Sequence, residues 1–165
     1  MNKEAEPFSM DPKDWPDNLP PCLIHVDKEG RMWHFGAEMI HEGINRLLTD
    51  HVELDEKGRY IINFRGQRCF VEVEDTFFVI IRLDYRPADD QVPERYLITL
   101  NDGSQEELDP AALTIGQENV IYARVKSSRF PARFLRRAYY QLAEYVVERG
   151  KGFVLPCQGH DYPVR

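Results

Sequence analysis

From Leu23 onward the chain alternates short apolar runs with polar breaks that carry glycine or proline, the spacing of a small, sheet-rich protein. Leu23 to Val26 reads as a strand, Asp27 to Gly30 as a turn, and Arg31 to Phe35 as the returning strand. Between Glu38 and Thr49 the apolar residues Ile40, Ile44, Leu47 and Leu48 share one face of a 3.6-residue period, which predicts an amphipathic helix. Asp55 to Gly58 is a turn, Arg59 to Phe64 a strand, Arg65-Gly66-Gln67 a tight reversal and Cys69 to Glu74 an alternating strand. Phe78 to Leu83 is almost continuously apolar, as a central strand covered on both faces would be.

Residues 86–94 form a polar loop, and Tyr96 to Leu100 with Gln105 to Leu108 flank the hairpin signal Asn101-Asp102-Gly103-Ser104. Asp109-Pro110 opens a short turn, and Asn119 to Val125 reads as a strand. Pro131 then suits the first turn of a long helix that runs to Gly150, with Phe134, Leu135, Ala138, Leu142, Tyr145 and Val146 on its inner face. On this reading Arg129, Arg133, Arg136 and Tyr140 line the opposite face. A hairpin around Gln158-Gly159 closes the chain. Laid side by side, the halves repeat one order of helix, glycine break, strand, glycine turn and strand. Gly66 matches Gly159, and Tyr60-Ile61-Ile62 matches Phe153-Val154-Leu155.

Residues 1–21 contain Pro7, Pro12, Pro16, Pro20 and Pro21 and read as an extended arm anchored by Trp15. The start has no apolar signal segment, and no run approaches the length of a membrane span. Cys22, Cys69 and Cys157 are odd in number and lack a CxxC pair, which reads as buried thiols of a cytoplasmic protein.

Charge sharpens the picture. The 165-residue chain carries a net charge of −7, yet from Arg124 to Leu142 it places six basic side chains and no acidic one. A basic island in an acidic protein points to a focused anion site and away from bulk nucleic acid. No phosphate loop or dinucleotide fingerprint occurs, and His41-Glu42 lacks the second histidine of a zinc helix.

Several stretches carry a resemblance: Asp27 through His34, Met39-Ile40 leading to Asn45-Arg46-Leu47-Leu48, Asp55 through Tyr60, Val71 through Phe78, and Ala132-Arg133 through Arg136 to Tyr139-Tyr140-Gln141-Leu142. In this order, over residues 14–165, the chain resembles a bacterial family known as domain of unknown function 1285. The resemblance implies a duplicated α+β architecture whose C-terminal half is superficially like pleckstrin-homology domains. It also implies a ligand site between the halves for a nucleotide-like molecule, a role in signal transduction, and no established activity. This chain departs from the family pattern at His41-Glu42, where a basic residue is usual, and at Asn63-Phe64-Arg65-Gly66, where a Thr-Pro turn is usual.

Together these readings predict a soluble, cytoplasmic α+β protein: an arm over 1–21 and two related modules over 22–77 and 78–165. The expected function is non-catalytic and cofactor-free binding of a small anionic, nucleotide-like ligand at the junction. Arg133 and Arg136 would hold phosphate, Arg124 would clamp it, and Trp33 or Tyr140 would stack on the base. His34 and Arg46 complete the candidate set. Two competitors remain: an adaptor that binds a protein partner through the basic helix, and a metal-assisted phosphoester hydrolase using Asp75, Glu74 and a histidine.

Overall fold

The computed structural model describes residues 12–165, which divide into two compact units meeting in sequence at Phe77 and Phe78. The first unit contains β1 (Pro21–Val26), β2 (Met32–His34), β3 (Ala37–Glu38), α1 (Glu42–His51), β4 (Val52–Leu54), β5 (Tyr60–Phe64) and β6 (Gln67–Val73). Its sheet runs β3-β2-β1-β6-β5-β4, antiparallel everywhere except at the centre, where β1 and β6 run parallel. The second unit has β7 (Phe78–Arg86), β8 (Arg95–Leu100), β9 (Gln105–Glu107), β10 (Thr114–Ile115), β11 (Ile121–Val125) and β12 (Phe130–Phe134). Read from β9, that sheet has the order β9-β8-β7-β12-β11-β10, again with one parallel pair, β7 with β12, at its centre. The two sheets therefore share one topology: two three-stranded meanders joined through the first strand of one and the last strand of the other. The fold is α+β and duplicated, mostly sheet with two helices.

The second unit continues into α2 (Arg136–Ala143) and a three-stranded sheet of β13 (Val147–Arg149), β14 (Gly152–Cys157) and β15 (His160–Pro163). This order, helix then meander, repeats that of α1-β4-β5-β6. The matched turns agree in detail. Arg65-Gly66 and Gln158-Gly159 both hold positive φ at both residues (52° and 80°, 51° and 76°), the two-residue turn whose twist suits a hairpin. No helix of the described residues is long and apolar enough to cross a membrane.

Three expectations need correction. The long helix from Pro131 to Gly150 is instead a strand, a helix of eight residues and a second strand. Phe130, Ala132 and Phe134 are buried while Pro131 and Arg133 are not, an alternation that commits this stretch to the sheet. The first helix starts at Glu42, because Ala37–Glu38 pairs with β2 and the His41 imidazole caps the amide of Ile44. The apolar residues expected to line it are not buried: Ile40, which precedes the helix, and Ile44 and Leu47 on it are 80%, 48% and 44% exposed. Finally, Cys22 and Cys69 form a disulfide, with Cα atoms 5.0 Å apart, and only Cys157 is a free, buried thiol. The pair lies 47 positions apart in sequence, and only the parallel docking of β1 on β6 makes them neighbours. Of the expected arm, residues 1–11 lie outside the described residues. The remainder forms two short 3-10 turns, and Asp17 ties it down through Lys57 and Arg59 at 2.8 and 2.9 Å.

One local device is used twice in the first unit. In Asp27-Lys28-Glu29-Gly30-Arg31 the Asp27 carboxylate accepts from the amides of Glu29 and Arg31 and from Arg31 Nε at 2.8 Å. In Asp55-Glu56-Lys57-Gly58-Arg59 the Asp55 carboxylate accepts from the amides of Lys57 and Arg59 and from Arg59 Nε at 2.7 Å. Each aspartate thus closes a turn and fixes the arginine that follows it. Asp27 also accepts from the indole of Trp33 at 2.9 Å and is almost fully buried. Burial pushes its carboxyl up, but the Trp33 and Arg31 hydrogen bonds outweigh that and hold it below the ordinary 3.8. Asp55 is lowered as well, chiefly by the Arg59 backbone amide.

A carboxyl depressed in the folded state stabilises the fold above its ordinary pKa, and that contribution is lost as pH falls through the lower folded value. The urea midpoint should therefore drop below about pH 4, by the reference carboxylate values. Asp27→Ala should cost about 2 kcal/mol at neutral pH, because it leaves an indole N–H and two amides without their acceptor. It should also flatten the acid slope; urea titrations of both proteins from pH 7 to pH 2 check both outcomes.

Candidate anion-binding surface

The acid-free segment builds β11, β12 and α2 of the second unit. On β11, Ala123 and Val125 point into the core, so Tyr122 and Arg124 take the other face. On β12 the outward pair is Pro131 and Arg133. The register sets Tyr122 opposite Arg133 and Arg124 opposite Pro131, which makes Arg124 and Arg133 diagonal neighbours on one face.

The β11–β12 turn, Lys126 to Arg129, is unusual. Lys126, Ser127 and Ser128 hold φ of 54°, 58° and 61°, three consecutive left-handed residues with no glycine among them. Its neighbours explain how it persists. At its start the Lys126 amide donates to both oxygens of Glu106 (3.1 and 3.2 Å). The Lys126 ammonium meets Asp102 at 2.6 Å and Ser104 at 2.8 Å, and lies 5.1 Å from the centre of the Phe78 ring. Burial pushes the Asp102 carboxyl up, yet the hydrogen bonds from Lys126 and Ser104 bring it below the ordinary value. At the far end Arg124 donates through Nε and Nη2 to the Ser128 carbonyl, and through Nη2 to that of Arg129. Arg129 donates from Nε to the Lys126 carbonyl and packs on the Phe130 ring.

The segment's cations therefore differ in state. Lys126 is neutralised by Asp102. Arg124 and Arg129 are held by carbonyls, which fix a guanidinium in place without cancelling its charge, and neither forms an ion pair with a carboxylate among the described residues. Arg136 begins α2 with Arg137 beside it, and no acid or side-chain cap serves that end of the helix. Like charges at a positive helix end are unfavourable alone and are relieved by an anion. The Arg136 guanidinium lies 5.9 Å from the ring centre of Tyr140, which is itself more than half exposed.

The structure separates the other candidates. The expected stripe of Arg129, Arg133, Arg136 and Tyr140 on one helix does not exist: the first lies in a turn, the second in a strand, and only the last two share α2. Trp33, His34 and Arg46 belong to the first unit. Trp33 spends its indole N–H on Asp27, and His34 Nδ1 pairs with the Leu23 carbonyl at 2.9 Å. Arg46 is exposed on α1. Of the hydrolase set, Glu74 Oε1 pairs with His25 Nε2 at 2.9 Å, while its other oxygen accepts the Lys28 amide. No group of three His, Cys, Asp or Glu among the described residues is arranged to hold a metal ion. Sequence reasoning had Arg129 in the basic island but not in the site. The glycine-free stretch Lys126-Ser127-Ser128-Arg129 between two apolar runs was the signal for it.

No protein-family profile and no curated protein matches the chain. Its fold does match solved structures. A DUF1285 family protein from Silicibacter pomeroyi DSS-3 aligns with a TM-score of 0.73 at 14% identity, over 88% of this chain and 80% of that one. A DUF1285 family protein from Shewanella baltica OS155 aligns with a TM-score of 0.59 at 15% identity, over 74% of this chain and 91% of that one. The chain has the DUF1285-like fold expected from its motifs.

These placements separate structural from available cations. Lys126→Ala should cost about 3 kcal/mol, since it leaves the largely buried Asp102 without its cation. Arg124→Ala should cost about 1 kcal/mol, the net value of a hydrogen-bonded contact near the surface, and should speed amide exchange from Lys126 to Arg129. Urea unfolding and hydrogen exchange on the two variants test the contrast.

Proposed function

We propose that this chain is a non-catalytic binding protein, bacterial and cytoplasmic, that takes an anionic, nucleotide-like ligand in a signalling role. The observation that carries the reading is the β11–β12 turn, where carbonyls orient the Arg124 and Arg129 guanidiniums and leave their charge uncancelled. Such donors are already placed before a ligand arrives, which lowers the ordering cost of binding. Planar guanidinium forks suit the oxygens of phosphate. Arg133 on the adjoining face adds positive potential, and Arg136 with Tyr140 offers a cation beside an exposed ring on which a base can stack.

A specific observation favours a second reading, the protein adaptor. Ile44 and Leu47 on α1, with Ile40 just before its start, leave apolar side chains exposed, the kind of surface that marks association.

The test is a thermal-shift and calorimetric screen of the full chain with tripolyphosphate, nucleoside mono-, di- and triphosphates and cyclic nucleotides. One class should give a saturable shift that weakens with added salt. Replacing Arg124 and Arg129 together by Gln should weaken that ligand on the order of tenfold per lost charge-assisted contact. No shift for any anion, or a shift indifferent to the double substitution, removes the reading and leaves the adaptor.

A further inference from the structure

The turn that orients Arg124 and Arg129 also carries two serines. The β11–β12 ladder ends at the pair Val125 and Phe130, both buried, so Lys126 to Arg129 stand out from a fixed base. Within the turn Ser127, Ser128 and Arg129 are exposed, while Lys126 is half-buried.

The two guanidiniums are bonded to the backbone around Ser128. Arg124 donates to the Ser128 carbonyl through Nε at 3.2 Å and Nη2 at 3.0 Å. Arg129, the next residue, donates from Nε to the Lys126 carbonyl at 3.2 Å. A side-chain hydroxyl stands within a few ångström of its own carbonyl, so Ser128 Oγ lies beside Arg124. Neither arginine holds the Ser127 carbonyl. Arg124 Nη1 and both Nη nitrogens of Arg129 have no acceptor among the described residues. Guanidinium forks with N–H groups to spare fit the oxygens of a phosphate. The carboxylates bonded to the turn do not compete for them: Asp102 is spent on the Lys126 ammonium and Glu106 on the Lys126 amide.

We propose that Ser128 is a phosphorylation site whose phosphate is held by Arg124 and Arg129 and closes the anion-binding surface. The closure rests on the anion-binding reading; the seat for the phosphate does not. The co-reactant is a nucleoside triphosphate delivered by a serine kinase. Ser128 Oγ attacks the γ-phosphorus and forms the new O–P bond. The bond from that phosphorus to the β–γ bridging oxygen breaks, a nucleoside diphosphate leaves, and the hydroxyl proton passes to the kinase's carboxylate base. Cations on both sides of Ser128 suit an enzyme whose substrate groove is acidic. The product carries three strong acceptor oxygens and close to two negative charges at neutral pH. Tethered beside the guanidiniums, it reaches them at an effective concentration that a free anion does not match.

The test begins with mass spectrometry of the chain recovered from its own cells, which should find phosphate on Ser128. The full chain carrying that phosphate is then titrated by phosphorus NMR. Its second ionisation should fall below the ordinary value of about 6, because the guanidiniums favour the dianion. Arg124→Gln with Arg129→Gln should return it to that value. Arg129→Gln alone keeps the Arg124 brace on the turn and should return it part of the way. Calorimetry with tripolyphosphate should show binding weakened on the order of tenfold or more by the phosphate on Ser128. An unmodified chain that takes no tripolyphosphate, with the phosphate ionisation still lowered, sinks the ligand reading and upholds the seat. An ordinary phosphate ionisation, tripolyphosphate bound equally by both forms, or a cellular chain without phosphate on Ser128 overturns the proposal.

Discussion

Each six-stranded sheet depends on one parallel strand pair, β1 with β6 in the first unit and β7 with β12 in the second. Every other pairing in those two sheets is antiparallel and joins strands that follow one another in sequence. Such hairpins can form locally, but the parallel pair must bring together residues some fifty positions apart before either sheet exists. Fully buried residues lie on these strands, Val26 in the first unit and Val79, Ile80 and Ala132 in the second, and Ile61 on β5 and Ile98 and Leu100 on β8 are buried as deeply. The turns, the twin aspartate clasps and the edge strands elaborate meanders that this contact has already joined.

That dependence explains what could be read from the chain. Alternation and turn residues located the hairpins around Gly66, Asn101 to Ser104 and Gly159, because those signals are short-range. The repeated order of helix and meander was visible for the same reason. The shared topology of the two sheets was not, since parallel pairing leaves no local mark. The same blindness hid the Cys22–Cys69 bond. The over-long second helix has a different origin: Phe134 belongs to two patterns at once. It completes the two-residue alternation of Phe130 and Ala132 and opens the helical spacing of Ala138 and Leu142. Pro131 fits a helix start and an outward-facing strand position equally well, so the local signal could not separate them.

The basic island was legible as composition but not as chemistry. Nothing in the sequence distinguishes Lys126, neutralised by Asp102, from Arg124, which caps carbonyls and keeps its charge. The difference comes from the β8–β9 hairpin, which delivers Asp102, Ser104 and Glu106 to the start of the β11–β12 turn. Supported at one end by carboxylates and at the other by a guanidinium, the turn tolerates three left-handed residues without a glycine. Trp33 and His34 illustrate the converse. Both carry chemistry suited to a ligand, and both spend it holding β1 and β2 together.

The parallel centre also has a mechanical consequence. In the first unit the chain enters along β1 and leaves along β6, two neighbours that point the same way. Tension applied between those ends would slide one strand past the other, loading the hydrogen bonds between them together instead of peeling them apart in turn. The Cys22–Cys69 bond crosses that same sliding plane. With the bond closed, the first unit has a covalent stop against shear; with it open, only the ladder resists.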